Sequence, residues 1–494
     1  MAGSRAAGIL LAVSSLPSPY GIGSFGQAAR EWVRFLKSAG QTYWQILPLG
    51  PTGWGDSPYQ SFSAFAISPY YVDLDTLINE GLLSGDEVRS VRWGGQPGKT
   101  AYTLLYRRRE PLLRLAFSRF RGGEMFQRFR AENSFWLEDY GLFMALKKKH
   151  RGKPWPDWGK TQGSRKPRAL ARFREKYAAD TAYHVFVQYL AYTQWKNIKD
   201  YANREGIQVI GDMPIYAAMD SADTWAHREL FYLDGQGRPV CVAGCPPDPF
   251  SAEGQLWGNP LYRWDIMRQT GFAWWLSRLR VSLDLYDVVR IDHFRGLESY
   301  YSIDAGASDA RNGEWIKGPG LNFIEAVRGG LPGARIIAED LGYLTPEVKA
   351  LLKASGYPGM KVLQFGFDSR EAGDYMPHSY ERNSVVYTGT HDNTTALGWF
   401  ASAGPEDVET ALDYFGLKNS REGNWAFIRG ALSSVADTAI IPMQDYLGLD
   451  GRARMNTPST LGGDNWRWRM LPAAISPGLA EKIRRLAGIT GRHG

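Results

Sequence analysis

The chain has 494 residues, 44% of them hydrophobic and 22% charged, with a formal net charge of +7 and two cysteines. That length can bury a large core, and no uninterrupted apolar run reaches the ~18 residues of a membrane span. Cys241 and Cys245 lie four apart in a Gly/Pro-rich segment with no second ligand pair, which argues against a metal site and suits a reducing compartment; no metal and no cofactor are expected, and the expected home is the cytoplasm.

In chain order, eight short apolar runs read as strands: residues 8–13, 42–49, 207–212, 286–292, 335–339, 361–367, 384–387 and 439–443. The first is too short for a signal-peptide core and is followed by Pro17, so it reads as a strand. Between the runs lie helical patterns, such as Phe186, Tyr189, Leu190, Ile198 and Tyr201 at three- and four-residue steps before Gly206. Strand–helix alternation predicts a parallel sheet, and eight units predict an α/β fold closed as a (β/α)8 TIM barrel. A doubly wound open sheet is the alternative.

Two intervals break the rhythm. Residues 50–206, after the second strand, are predicted to be a mainly helical insertion, and residues 213–285, after the third, an active-site loop insertion. The expected organisation is one catalytic barrel unit over 1–494 carrying both. Residues 99–176 hold 21 Lys and Arg against 7 Asp and Glu. No nucleic-acid or membrane motif accompanies these charges, so they are expected to be a solvated exterior, with neither nucleic acid nor membrane as partner.

Four of the runs end in acids: Asp212, Asp292, Glu339 and, beyond 384–387, Asp392. Ligands of parallel α/β folds sit at the C-terminal ends of the strands, so these four carboxylates should share one mouth. In Arg290-Ile291-Asp292 the period of two puts Arg290 and Asp292 on one face, where the guanidinium should lower the Asp292 pKa and keep a nucleophile ionised. A carboxyl at Glu339 facing Asp292 should stay partly protonated, as a general acid that later turns base requires. Asp392 could orient sugar hydroxyls and offset positive charge at an oxocarbenium-like centre, with His391 donating a hydrogen bond. The same residues would also suit a divalent-metal phosphohydrolase, but there is no dense ligand cluster and no phosphate-cradling glycine loop.

The aromatic content favours sugars. Eighteen Trp and 26 Tyr include Trp54, Tyr59, Trp257, Trp264 and Trp315 in segments that are not apolar, and flat rings pack on pyranose faces. Trp257, in a Gly/Pro loop after a catalytic strand, is the strongest of these candidates.

Several segments together resemble the 4-α-glucanotransferases (amylomaltases, or disproportionating enzymes), relatives of the α-amylases. They are Ser15-Leu16-Pro17-Ser18-Pro19-Tyr20-Gly21-Ile22-Gly23, Asp56-Ser57-Pro58-Tyr59-Gln60-Ser61, Gly211-Asp212-Met213-Pro214-Ile215-Tyr216, Pro246-Pro247-Asp248, residues 254–260, residues 290–296, Ala338-Glu339-Asp340-Leu341-Gly342 and residues 390–394. The resemblance covers nearly the whole chain. It implies Asp292 as nucleophile, Glu339 as acid/base and Asp392 as transition-state stabiliser, with Asp212, Arg290, His293 and His391 around the sugar at the cleavage point. It also implies that Tyr59 and the loop with Asp248 and Trp257 hold donor and acceptor chains. Two positions depart from the family pattern: Cys245, where a small aliphatic residue is usual, and Ser459, where glycine is expected.

The resulting expectation is a 4-α-glucanotransferase acting on maltodextrins or starch by retaining double displacement, with the two carboxyl groups ~5–5.5 Å apart, as a monomer or weak homo-oligomer. An amylase-type hydrolase is the alternative, and a metal-dependent phosphohydrolase or a silent glucan-binding protein comes last.

Overall fold

The computed structural model describes residues 5–94, 96–163, 165–247, 251–342, 344–369 and 375–493. Eight parallel strands form its centre: β1 (Ala6–Leu10), β2 (Tyr43–Gln45), β3 (Gln208–Pro214), β4 (Val288–Asp292), β5 (Ile336–Ala338), β6 (Gly359–Val362), β7 (Ser384–Tyr387) and β8 (Thr438–Pro442). Each pairs with its neighbour in chain order except β5 with β6, and β8 pairs with β1. The ring closes between β5 and β6, where the Ala338 N–H donates to the Pro358 carbonyl at 3.0 Å. Sequential order with closure is a barrel and rules out the doubly wound sheet, whose strand order reverses.

All eight expected strands are present, with shifted ends. The run 361–367 contributes only its first two residues to β6, which begins at Gly359; Leu363–Phe367 is a 3-10 turn. Gly366 there lies so close to the Tyr375 backbone that a Cβ would sit 2.5 Å from its carbonyl oxygen. Inside the barrel the period of two stacks polar layers. Arg335 reaches Gln208 and Tyr43 at the bottom, Tyr387 donates to Gln45 above, and Arg290 sits among carboxylates at the top. Gly211 is required beside Asp212, because a Cβ there would meet the Tyr286 ring at 2.0 Å.

Between β2 and β3 come the helices Tyr102–Arg119, Glu124–Glu132, Leu137–Lys149 and Pro167–Lys176, then the 27-residue helix Ala178–Arg204. A second core, with Phe65, Trp136, Phe143, Trp155, Trp158 and Trp225 among its members, gathers the last four of these, while Tyr102–Arg119 packs through Tyr102, Leu105, Leu112 and Leu113 into the main core. The long helix buries Tyr183, Phe186, Leu190, Ala191, Trp195, Ile198 and Ala202, a stripe at helical spacing. Its buried Gln188 and Gln194 bond the backbones of Ile67 and Asp73, which fixes the course of the chain following Tyr59. Acids of the basic stretch are engaged in surface pairs, Glu110 with Arg114 and Lys148, Asp139 with Arg165 and Arg174.

Beside the mouth stands a four-stranded antiparallel sheet, ordered Gln255–Pro260, Cys241–Cys245, Ser299–Asp304, Glu314–Lys317. Two of its strands come from the 213–285 interval and two from the segment after β4. Sequence reading assigned no strand to either pair, because a nine-residue connection within each pair carries no short hairpin-turn signal, and the pairing of Cys241–Cys245 with Ser299–Asp304 joins distant segments. Among the described residues no helix is long and apolar enough to cross a membrane.

Candidate active site

Three of the four acids sit where their strands deliver them. Asp212 lies in β3, Asp292 ends β4, and Glu339 directly follows β5. The fourth, Asp392, lies on the loop beyond β7. Arg290, 3% exposed, is their centre. Its Nη1 donates to both Asp212 oxygens at 2.7 and 2.9 Å and to Asp292 Oδ1 at 2.8 Å. One guanidinium therefore fixes the nucleophile candidate relative to a fully buried second carboxylate.

The expectation that Arg290 would lower the Asp292 pKa needs correction. Burial raises it, Arg290 opposes that, and the negative charge of Asp212 adds to the rise, so the net direction is upward. A local sequence shows the cation but not the desolvation. Glu339 is raised as well, to about 7, by burial and then by the charge of Asp292. Only Asp292 has the guanidinium in direct contact, so the proton shared by the pair resides on Glu339.

Glu339 is held from both sides by backbone: the His293 N–H donates to Oε2 at 2.6 Å and the Leu341 N–H to Oε1 at 2.8 Å. His293 adopts φ +55° to do so. Its imidazole is held neutral, with a pKa lowered to about 3 by burial and the Arg295 charge. It packs edge-on against Trp257, ring centroids 4.8 Å apart, and its Nε2 has no hydrogen-bond partner among the described residues.

On the opposite wall Tyr59 donates to Asp212 Oδ2 at 2.7 Å and stacks on His391 at 5.0 Å. His391 Nε2 lies 3.2 Å from Asp392 Oδ2. Burial works to lower the His391 pKa, but Asp392 beside it raises it overall. Asp392 itself is held at about 2: burial pushes it up, and the charge and hydrogen bond of His391, then Asn456, overcome that.

Of the ten residues expected here, the structure brings together Asp292, Glu339, Asp392, Tyr59, Asp212, Trp257, Arg290, His293 and His391, while Asp248 falls outside the described residues. Trp257 lies on an edge strand and not in a free loop, and Gln60 Nε2 contacts its carbonyl at 3.3 Å. Trp264, grouped with loop aromatics by sequence, is core: it is 6% exposed and stacks with Trp275. Sequence reasoning missed Arg454, Asn456 and Trp466. Asn456 and Arg454 bond Asp392, and Trp466 packs against both Tyr59 and His391. Their only sequence signal was the unusual Ser459 nearby. Among the described residues no group of His, Cys, Asp or Glu is arranged to hold a metal ion.

The family model described as 4-alpha-glucanotransferase matches residues 11–474. The chain belongs to the 4-alpha-glucanotransferase family. It is 48% identical to the 4-alpha-glucanotransferase of Clostridium butyricum, over 97% of this chain and 99% of that protein. It is 46% identical to that of Thermus thermophilus, over 99% of both. Among solved structures it is similar to an amylomaltase from Streptococcus agalactiae in complex with acarbose, with a TM-score of 0.96 at 38% identity, covering 99% of this chain and 100% of that one. The 4-alpha-glucanotransferase family thus accounts for the barrel and for its decorated loops together.

Proposed function

We propose that this protein transfers α-1,4-glucan segments between maltodextrins through Asp292, Glu339 and Asp392. An Asp292 oxygen attacks the anomeric carbon as its bond to the leaving oxygen breaks, and the Glu339 proton passes to that oxygen. The product is a covalent glucosyl ester on Asp292. The 4-hydroxyl of an acceptor then gives its proton to Glu339 and attacks the same carbon, the ester bond breaks, and the α-linkage re-forms. Asp392 offsets the positive charge that develops on the sugar in both steps.

The observation that carries this assignment is the unequal pair: Asp292 bonded to Arg290 at 2.8 Å, and Glu339 bonded by no cation among the described residues and pushed up to about 7. We assign Asp212, Arg290, His293 and His391 to the sugar at the cleavage point, and Tyr59, Trp257 and Asp248 to holding donor and acceptor chains. An amylase-type hydrolase could use the same carboxylates; membership of the family supports transfer to a sugar. We also assign the protein to the cytoplasm as a monomer or weak homo-oligomer, with glucans as its partners and neither nucleic acid nor membrane.

Incubation with maltotriose tests the reading. Glucose and oligosaccharides longer than the substrate should accumulate together, and Glu339→Gln should abolish both. Reducing ends that rise without longer chains would instead favour hydrolysis.

A further inference from the structure

Asp392 differs from the other acids of the mouth in its support. Asp212 and Asp292 are in strands, and Glu339 is held by two backbone amides, whereas Asp392 lies in a loop with 43% of its side-chain surface open. A carboxylate so placed, held within its own loop by His391 on one oxygen, still needs a second support to fix χ1 and χ2. The segment Arg454–Asn456, more than sixty residues later, provides it. Asn456 Nδ2 donates to Asp392 Oδ1 at 2.7 Å, and the Asn456 N–H donates to the His391 carbonyl at 3.0 Å. Arg454 bonds the Asp392 carbonyl with one guanidinium nitrogen and the Asn456 carbonyl, at 2.6 Å, with another. From the far side the Trp466 N–H donates to the Met455 carbonyl at 2.7 Å, and its ring backs His391. His391 occupies Oδ2, so the two side-chain donors fix both oxygens of Asp392.

We infer that Asn456, steadied by Arg454, is a positioning residue for glucan transfer: it locks Asp392 in the one rotamer that faces the anomeric carbon. This rests on the stabilising role proposed for Asp392. Neither residue is hydrogen-bonded to the Asp292–Glu339 pair; Asn456 reaches the site through the Asp392 side chain and the His391 carbonyl. The charged and titratable groups facing Asp392 are His391, Arg290, Arg454, Asp292 and Tyr59.

Three variants test it by maltotriose disproportionation with thermal melting alongside. Asp392→Asn should collapse kcat; if it does not, the role of Asp392 itself fails, and this inference with it. Given that collapse, Asn456→Ala should lower kcat by about 10- to 100-fold, the scale of one hydrogen bond to a charged group, with KM changed by less than about threefold. Asn456→Asp should behave differently with pH. Protonated, its carboxyl still donates to Asp392 and stands in for the amide; ionised, it repels Asp392. Its kcat relative to the parent should therefore climb at least tenfold as pH falls from about 8 to 5. The inference is overturned if Asn456→Ala retains kcat within twofold, if its loss appears in KM and melting temperature alone, or if the Asn456→Asp ratio is flat across that range.

Discussion

The backbone N–H of His293 meets Glu339 Oε2 at 2.6 Å, while the peptide of Glu339 bonds both flanks of His293: its N–H donates to the Ile291 carbonyl at 3.0 Å and its carbonyl accepts from the Phe294 N–H at 2.9 Å. Three hydrogen bonds thus sew the end of β4 to the end of β5. The stitch depends on a left-handed turn at His293, φ +55°, a conformation most side chains avoid and histidine tolerates better than most. Strain of this kind persists only where the surroundings over-determine it. Here it lets one residue offer an amide to the acid/base candidate and an imidazole to Trp257.

In the proposed mechanism the state of Glu339 sets a pH limit on the first step. Its pKa is raised to about 7 by burial and the charge of Asp292, and the first step needs its protonated form. That form dominates below about pH 7 and is lost above it. The rate of glucosyl-enzyme formation should therefore fall about tenfold per pH unit on the alkaline side of 7. With an α-glucosyl fluoride donor, whose departing fluoride needs no proton, that fall should vanish from the first step. Stopped-flow or quench-flow measurement of the two donors against pH checks this.

Asp445 gives a stability prediction with a definite sign. It is 1% exposed, accepts from the Thr388 hydroxyl at 2.6 Å and from the Ala396 N–H at 2.7 Å, and is raised to about 6 by burial. A carboxyl whose folded pKa lies above its unfolded value of 3.8 binds its proton more tightly in the native state. Stability is therefore lost as pH rises from about 4 to 6 and is constant above, by at most ~3 kcal/mol. In Asp445→Asn the amide oxygen can still accept from Ala396, and the Thr388 hydroxyl can rotate to accept from the amide nitrogen. The variant should be as stable as the parent or more so at pH 8, without the loss between 4 and 6. Asp445→Ala should be less stable than either at pH 8, by about 2 kcal/mol, because it leaves the Ala396 N–H unpaired. Chemical denaturation at several pH values reads all three.

Ser459 carries strain that glycine would relieve. The family pattern predicts glycine there, and Ser459 takes φ +61°, the left-handed backbone that favours glycine. Asn465 holds the same loop, accepting from the Thr457 N–H at 3.0 Å and donating to Thr460 Oγ1 at 2.9 Å. Ser459→Gly should stabilise the protein by about 1 kcal/mol, measurable as a higher denaturant midpoint, with disproportionation unchanged.

What could be read before folding was local. Buried parallel strands announce themselves as apolar runs, and the period of two puts Arg290 beside Asp292. Eight strands, three strand-borne acids and the loop acid Asp392 were legible for that reason. The antiparallel sheet beside the mouth was not, because its strands come from segments on either side of β4 and their pairing leaves no mark at a fixed spacing. The protonation of the central pair was half legible: the cation at Arg290 is written in the sequence, but the burial that outweighs it at Asp292 is a property of the closed barrel. The grip of Asn456 on Asp392 belongs wholly to the tertiary structure. Sequence therefore determined the kind of residue at each strand end and the barrel that gathers them. Folding alone decided which carboxyl holds the proton and which side chain orients Asp392, because desolvation and long-range hydrogen bonds exist only once distant segments have closed around the same few ångströms.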